Sequence, residues 1–376
     1  YLKAQDEYQN ATTDRERLIA LEKMLSTVPK HKGTEKLVLQ IKRRMTKLKR
    51  EEEAREAKKG TSKGFNIKKE GAAQIVLVGP PNAGKSSFLK TVTKADVDVG
   101  NYAFTTVELT PGMLPINDIQ IQLVEVPGII EGVSAGRGMG LQLMSSIRTA
   151  DAMLLLIDGS NEPAPQLRTI LRELDKGGIK VNKKRPDIDI KKHVSGGITI
   201  VGGHHIRGDE KDVKEILMDF RITSGIVVIR EDVTLTDIQE ALDYTTTYRR
   251  AIVLVTKADQ TPPGTVEALR KALPSFTFIS ISTETGYGMK DIPQKIYEVA
   301  NIKRIFTKTP GEKPAYPPVS MKREATVIDV ARKVHKDIAK QFKYARVWGA
   351  SVKFGGQRVG EDHVPADGDT VEIHIK

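Results

Sequence analysis

No cysteine occurs anywhere in the 376 residues. That excludes disulfides and thiolate metal sites, and it fits the reducing cytoplasm, where the protein is expected. Long apolar runs are also missing. Stretches such as MLLLI and AIVLV are strand-sized, far short of the roughly 20 residues that span a bilayer, so no membrane partner is expected. The first residues are charged and do not read as a signal peptide. Acid is the scarcer charge: 48 Asp and Glu stand against 60 Lys and Arg, for a net charge of +12 and a pI near 9.5. This balance suggests an anionic partner such as RNA, although a generally basic proteome gives the same sign.

What is present is enough for several cores. The chain is 39% hydrophobic, and its length calls for about two to four domains. Residues 1–60 read as two helices. Leu18, Leu21 and Leu25 sit near helical spacing, VPKHKG interrupts them, and Leu37, Ile41, Met45 and Leu48 share one face of the second helix. Lys36, Lys42, Arg43, Arg44, Lys47, Lys49 and Arg50 lie between them. They form either a basic outer face suited to RNA phosphates or a merely solvated one. KKGTSKG reads as a linker.

From Gln74 the pattern changes. QIVLVG, IQLVEV, AMLLLID, AIVLVTK and FTFISIS are continuous apolar runs alternating with helical segments. A parallel sheet covered on both faces requires such runs, so the fold class is α/β and doubly wound. Between the helix PQLRTILREL and the strand AIVLVTK lie roughly 75 residues, far more than one crossover needs. GITIVG, DVKEILMDF, GIVVIR and LTDIQEALDY inside them predict an inserted α+β subdomain at 175–248. After KTPGEKPAYPP, a Pro-rich break, the helix TVIDVARKVHKDIAKQF, the strand YARVWGASVKF, the turn GGQRVG and the strand DTVEIHIK suggest a β-grasp module.

The phosphate site is the strongest signal. GPPNAGKSS, residues 79–87, follows the strand QIVLV and opens a helix. It matches G-x-x-x-x-G-K-[ST] in the strand-loop-helix context that motif needs. Gly79 and Gly84 let backbone N–H groups turn toward phosphates. Lys85 supplies charge to the β- and γ-phosphates, and Ser86 offers a hydroxyl to Mg²⁺ at a helix N-terminus. TKAD, residues 256–259, follows AIVLV. The Asp259 carboxylate can accept from guanine N1–H and N2–H₂, a donor pair that adenine lacks, and the Lys257 stem would cover the base. STE, residues 282–284, stands after the next strand, where it would meet the guanine oxygen. YAFTT, residues 102–106, precedes IQLVEVPG and is placed to act as a switch; Thr105 or Thr106 could give Mg²⁺ a second hydroxyl.

The stretch LVEVPGIIEG, residues 123–132, is where a GTPase strand ends and its second switch begins. The order GPPNAGKSS, YAFTT, EVPGIIEG, TKAD and STE resembles the Obg superfamily of GTPases. VPGIIEG, AGRGMG, RTAD and QFKYARVWGASVKFGGQRVG, with the N-terminal hairpin, are similar to its developmentally regulated GTP-binding (DRG) branch over nearly the whole chain. The resemblance implies a helical hairpin at 1–60 and a GTPase domain at 64–174 and 249–302. The insert at 175–248 would be like ribosomal protein S5, and 303–376 would be a TGS domain. The absence of a eukaryote-type extension makes an archaeal version the expectation. The resemblance also implies ribosome or rRNA association and a stabilising partner protein; no DNA is expected.

On that footing GTP contacts are expected from Gly79, Pro81, Asn82, Ala83, Gly84, Lys85, Ser86, Ser87, Phe104, Thr105, Thr106, Glu125, Pro127, Gly128, Thr256, Lys257, Asp259, Ser282, Thr283 and Glu284. Lys85, Thr106 and Gly128 would be catalytic. Family spacing selects Thr106 beside Ser86 for Mg²⁺, with Glu125 acting through a water. Asn82, as in Obg proteins where the DRG branch usually has Ser, either braces the loop or is a ligand for K⁺, as in related GTPases with an apolar residue after the switch glycine.

Several positions depart from the family. Glu125 replaces Asp and keeps its charge on one more methylene. Thr256 replaces the commoner Asn, which should weaken a loop-bracing hydrogen bond, and Thr283 replaces Ala. Ile129 cannot orient an attacking water, so hydrolysis should be slow unless a partner arginine, a monovalent cation or the backbone assists. Arg137 is a candidate finger from within the chain, though switch flexibility or an ion pair is the favoured reading. His204 and His205 lack a third ligand at metal spacing and read as a loop or RNA contact. Trp348 reads as core rather than as a base-stacking platform. The expected function is slow hydrolysis of GTP to GDP and phosphate, switching association with ribosome or RNA in translation or ribosome assembly. The alternative is an RNA-binding assembly factor that uses GTP as a structural ligand. An ATPase of the related YchF type is opposed by Asp259.

Overall fold

The computed structural model describes residues 1–11, 13–29, 34–58, 67–93, 109–135, 139–243 and 245–375. Its elements run α1 (Leu2–Asn10), α2 (Asp14–Thr27), α3 (Glu35–Lys58), β1 (Ala73–Val78), α4 (Lys85–Thr93), β2 (Thr110–Ile116), β3 (Ile119–Glu125), α5 (Met139–Thr149), β4 (Ala152–Asp158) and α6 (Pro163–Lys176). Next come β5 (Ile179–Val181), β6 (Ile188–Lys192), β7 (Ile198–Val201), β8 (Ile206–Arg207), α7 (Glu210–Asp219), β9 (Gly225–Ile229), β10 (Val233–Thr234), α8 (Leu235–Leu242), β11 (Thr247–Thr256), α9 (Thr265–Ala272), β12 (Phe278–Ser280) and α10 (Ile292–Ala300). The chain ends with β13 (Ile302–Lys308), β14 (Val319–Lys322), α11 (Val327–Val334), α12 (Lys336–Lys340), β15 (Phe342–Trp348), β16 (Gln357–Val359) and β17 (Thr370–Ile375). Two compact units result. One draws on 1–64, 131–148 and 172–249, the other on 65–130, 149–171 and 250–376.

The second unit carries a sheet in the order β12-β11-β4-β1-β3-β2. All its neighbours are parallel except β2, which runs antiparallel to β3. The expected runs form β1, β3, β4, β11 and β12. Every residue of β1 and β4 is buried, as strands with helices on both faces must be. The sheet is mixed because of β2, which carries Pro111, Gly112 and Pro115 and gave no strand signal in the sequence. Proline is tolerated there because β2 is an edge. Asn117 and Asp118 close the hairpin with φ of 48° and 62°, the left-handed pair that a tight two-residue turn requires.

In the same unit the C-terminal module forms a five-stranded sheet, β14-β13-β17-β15-β16. Ile305, Val327, Val330, Ala345, Val347 and Val371 pack between it and α11. The single helix expected over TVIDVARKVHKDIAKQF is two. His335 is extended (φ −163°, ψ 140°), and its Nδ1 accepts from the Asp337 N–H, capping α12. Strands β13, β14 and β16 were not expected. The Pro-rich break lies between the first two, and β16 falls within the segment read as a turn.

The first unit holds the N-terminal helices and the inserted elements. The first expected helix is divided near Ala11. Thr13 caps α2 in a reciprocal box with Glu16, which fixes a new helix start. Ile41, Met45 and Leu48 of α3 pack with Leu21 and Met24 of α2, as the spacing predicts. Inserted strands β6, β9 and β7 form a separate sheet over α7 and α8. Leu39, on another side of α3, joins that core. The basic outer face expected on α3 therefore needs correction. Arg43 pairs with Asp219 at 3.2 Å. Lys42 is partly buried, and burial pushes its pKa down against the pull of Glu240. Arg44 and Lys47 remain exposed; the side chains of Lys36, Lys49 and Arg50 lie outside the described residues.

Candidate nucleotide site

At the carboxyl end of β1 the chain turns sharply. A side chain at Gly79 would put its Cβ 2.4 Å from the Leu156 carbonyl of β4, so only glycine fits. Asn82 and Gly84, at φ 62° and 77°, turn the loop into α4. Ala83 is fully buried, whereas Pro81, Asn82, Ser86 and Ser87 are exposed. Lys85 folds back on the loop, its Nζ donating to the carbonyls of Pro80 (2.8 Å) and Gly79 (3.3 Å). It is only 6% exposed. Burial lowers its pKa, and the Glu125 charge works against that shift. A cation parked on two carbonyls can move to phosphate oxygens with little rearrangement.

Glu125 ends β3, in register with Leu77 of β1. Its Oε1 accepts a 2.7 Å hydrogen bond from the Ser86 hydroxyl. The extra methylene thus brings the carboxylate onto the hydroxyl with no break in strand register. Two hard oxygen donors side by side suit Mg²⁺. Gly128 follows, and a Cβ there would lie 2.7 Å from Pro81 Cδ, so the switch glycine is packed against the phosphate loop. Pro127 beside it is partly buried. Ile129 is 1% exposed, and its N–H donates to the Gly79 carbonyl at 2.9 Å. Phe104, Thr105, Thr106 and Arg137 lie outside the described residues.

The residues expected on the base side lie at the ends of β11 and β12. The Thr256 hydroxyl lies 3.1 Å from the carbonyls of Ala83 and Ile157, which ties the phosphate loop to the sheet. Lys257, at φ 55°, pairs with Asp158 Oδ2 at 2.5 Å. The Ala258 N–H donates to Ile281 O at 3.0 Å. Asp259 is exposed, and a hydrogen bond from buried Ser282 is the main cause holding its carboxyl below the usual range. Thr283 is partly buried and Glu284 exposed. TKAD and STE are therefore joined into one rim with the Asp259 carboxylate on its surface.

Asp158 was not singled out in the sequence. Burial would raise its pKa, but hydrogen bonds from Lys257 and Ser160 hold it below the ordinary value. Its signal is an acid closing an apolar run, AMLLLID, the same signal that marked Glu125. The rings of His204 and His205 touch at a tilt of 41°, with centroids 4.1 Å apart, and His205 Nδ1 is 3.0 Å from Asp232 Oδ1. No cluster of three metal-ligating side chains occurs among the described residues, and no described helix is long and apolar enough to cross a membrane.

A Gly-rich turn from a buried parallel strand into a helix, with an Asp-bearing loop two strands away, defines a P-loop GTP-binding domain. Residues 74–190 match the family of 50S ribosome-binding GTPases, 195–302 match the C-terminal region of that domain, and 303–375 match the TGS domain. The uncharacterized GTP-binding protein MJ1326 of Methanocaldococcus jannaschii is 37% identical over 96% of this chain and 93% of its own length. Developmentally-regulated G-protein 3 of Arabidopsis thaliana is 33% identical over 96% and 99%. Developmentally-regulated GTP-binding protein 1 of Xenopus laevis is 33% identical over 95% and 98%. The chain belongs to the Obg family of GTPases, of the developmentally regulated type with a TGS domain.

Proposed function

We propose that the protein hydrolyses GTP slowly with Mg²⁺, and that its nucleotide state governs association with the ribosome or its RNA. The observation that carries the kinetic half is Ile129, which is 1% exposed and bonded through its N–H to Gly79. The position after the switch glycine therefore offers no polar side chain to an attacking water, and positioning is what phosphoryl transfer most needs from the protein. Lys85 supplies charge to the phosphates. Ser86 and Thr106 would hold Mg²⁺ directly, and Glu125 would hold it through water; when bound, the ion neutralises charge on the β- and γ-phosphate oxygens. Gly128 would sense the γ-phosphate, and its close packing on Pro81 supports that role.

The ribosomal half is supported by the family that matches residues 74–190, described as 50S ribosome-binding, and by the net charge of +12. Turnover of GTP should be measured alone and with ribosomes from the native cell. Slow turnover that ribosomes accelerate is the expected result. No turnover under either condition, with GTP still bound, would make the nucleotide a structural ligand and overturn the proposal.

A further inference from the structure

The C-terminal sheet has two unlike faces. Ala345, Val347, Ile305 and Val371 face α11. The alternate residues of the same strands form the other face, where Lys308 lies opposite Glu372, Glu372 opposite Arg346, and Arg346 opposite Arg358. Trp348 is opposite Thr370, and Tyr344 is opposite His374. Trp348, expected in the core, is thus on the outer face and only half-buried.

The aromatic rings there are each held from one side. Tyr344 stacks on His374 with centroids 4.4 Å apart and an interplanar angle of 12°. Trp348 lies on the turn at Gly355 and Gly356, where a Cβ would come within 2.8 Å and 3.2 Å of its ring. Cations touch both rings as well. Arg358 lies 4.1 Å from the Tyr344 centroid, and the Lys308 ammonium 4.4 Å from that of Trp348. Arg346 and Arg358 are exposed, and neither pairs with a carboxylate among the described residues. The one acid in this patch, Glu372, is 6% exposed and already engaged by His374 at 2.7 Å and Lys308 at 3.3 Å. Residues 303–376 carry fifteen Lys and Arg against nine Asp and Glu, so the excess charge is positive.

We propose that this outer face, built on Tyr344, Trp348 and His374 with Lys308, Arg346 and Arg358, binds single-stranded RNA by base stacking. It rests on the ribosome or RNA reading above and names the surface that would carry it. A cation over an exposed ring is worth about 2- to 5-fold in an equilibrium. A base stacked on the ring is worth about 5- to 150-fold. An incoming base therefore displaces the cation, and the freed guanidinium or ammonium is left beside the base's own phosphate. The charge pattern favours this occupant over an apolar protein segment, which would leave the arginines unpaired.

Trp348 is the only tryptophan in the chain, so fluorescence excited at the red edge, where tyrosine does not absorb, reports on this face alone. The full-length protein should be titrated with a short mixed-sequence single-stranded RNA, with a duplex of the same sequence and with inorganic polyphosphate. Single-stranded RNA should quench the tryptophan, bind more tightly than the duplex, and lose affinity in steps of about 0.7 in the log–log salt slope per phosphate contact. Tyr344→Leu and Arg358→Glu should each weaken it about ten-fold, Tyr344→Phe should restore binding, and GTP affinity should stay as in the wild type. Binding without quenching, polyphosphate competing as well as RNA, or indifference to Tyr344→Leu would each overturn the platform. Ribosome co-sedimentation separates the two readings. Co-sedimentation without quenching by short RNA removes this surface and leaves the ribosome reading standing. Quenching by short RNA without co-sedimentation does the reverse.

Discussion

Thr256 stands where the commoner residue is asparagine, and its hydroxyl is the tie between the base loop and the phosphate loop. It lies 3.1 Å from both Ala83 O and Ile157 O and has one proton to give. The residue is 4% exposed, so water cannot replace a lost donor. Thr256→Val keeps the shape and removes the proton. A neutral hydrogen bond contributes about 0.5–1.5 kcal/mol net, and a buried acceptor left unpaired costs about 1–3 kcal/mol. The carbonyl deprived of its partner should therefore cost about 1–2 kcal/mol. Because Ala83 sits between Asn82 and Gly84 in the phosphate loop, much of this should appear as weaker nucleotide binding, about 10-fold for each 1.4 kcal/mol. Thr256→Ser is the complement: it keeps the proton and loses a methyl group, about 0.8 kcal/mol of burial. Equilibrium binding of a fluorescent GTP analogue and thermal melting should be measured for both variants. The expected order of affinity is wild type, serine, valine, with the preference for GTP over ATP unchanged, since Asp259 is untouched. Valine binding like wild type while serine loses affinity would show that packing, not the hydroxyl, holds the loop.

Asp259→Asn should exchange GTP affinity for xanthosine triphosphate affinity, and a wild type that binds ATP as tightly as GTP would refute the base assignment. Ser86→Ala and Thr106→Ala should each weaken Mg²⁺-dependent triphosphate binding, measured by titrating Mg²⁺ at fixed GTP; unchanged hydrolysis in both would remove the assigned metal site. Hydrolysis should be faster in KCl than in NaCl at equal ionic strength, and Asn82→Ala should abolish the difference; equal wild-type rates would sink the K⁺ proposal. Because Asp158 is held below its ordinary value of about 3.8 by Lys257 and Ser160 against the effect of burial, its contribution to stability is complete above that value and lost as pH falls through the lower folded one. Denaturation at pH 6 and pH 3 should show a smaller difference in Asp158→Asn than in the wild type, and an equal difference would mean the pair contributes nothing.

Legibility in the sequence follows how local each cause is. Strands β1, β3, β4 and β11 were visible because burial on both faces writes an unbroken apolar run. Edge strand β2 was not, since its partner lies on one side only and Pro111 and Pro115 cost it no ladder it needs. The break at His335 is likewise invisible, as one imidazole accepting from Asp337 decides it. Trp348 shows a different limit. Period-two alternation places it on a strand correctly, but Tyr344, Trp348, Ala345 and Val347 are all apolar enough that the pattern does not say which set faces the helix. The same limit governs α3, where Leu39 and Arg43 turn toward the insert for the sake of Asp219 and a core distant in sequence.

The nucleotide loops escape this limit because their chemistry is fixed by position on a strand end. GPPNAGKSS, Glu125, TKAD and STE each follow a run that could be read alone. Asp158 also ends such a run, yet its role comes from Lys257, ninety-nine positions away. An acid that closes a buried parallel strand is desolvated on the sheet side and needs a cation or hydroxyl from a neighbouring loop. Glu125 has Ser86 and Asp158 has Lys257. The rule picks out an unremarked strand terminus as paired to the loop that carries Lys257, and it carries its own test. In Lys257→Met the Asp158 carboxyl should keep only its hydrogen bonds from Ser160, and its pKa should rise. The stability gained between low and neutral pH should then shrink as it does in Asp158→Asn. If Lys257→Met leaves the pH dependence of stability at the wild-type level, Asp158 is held low by Ser160 alone, and the strand-end argument fails at this position.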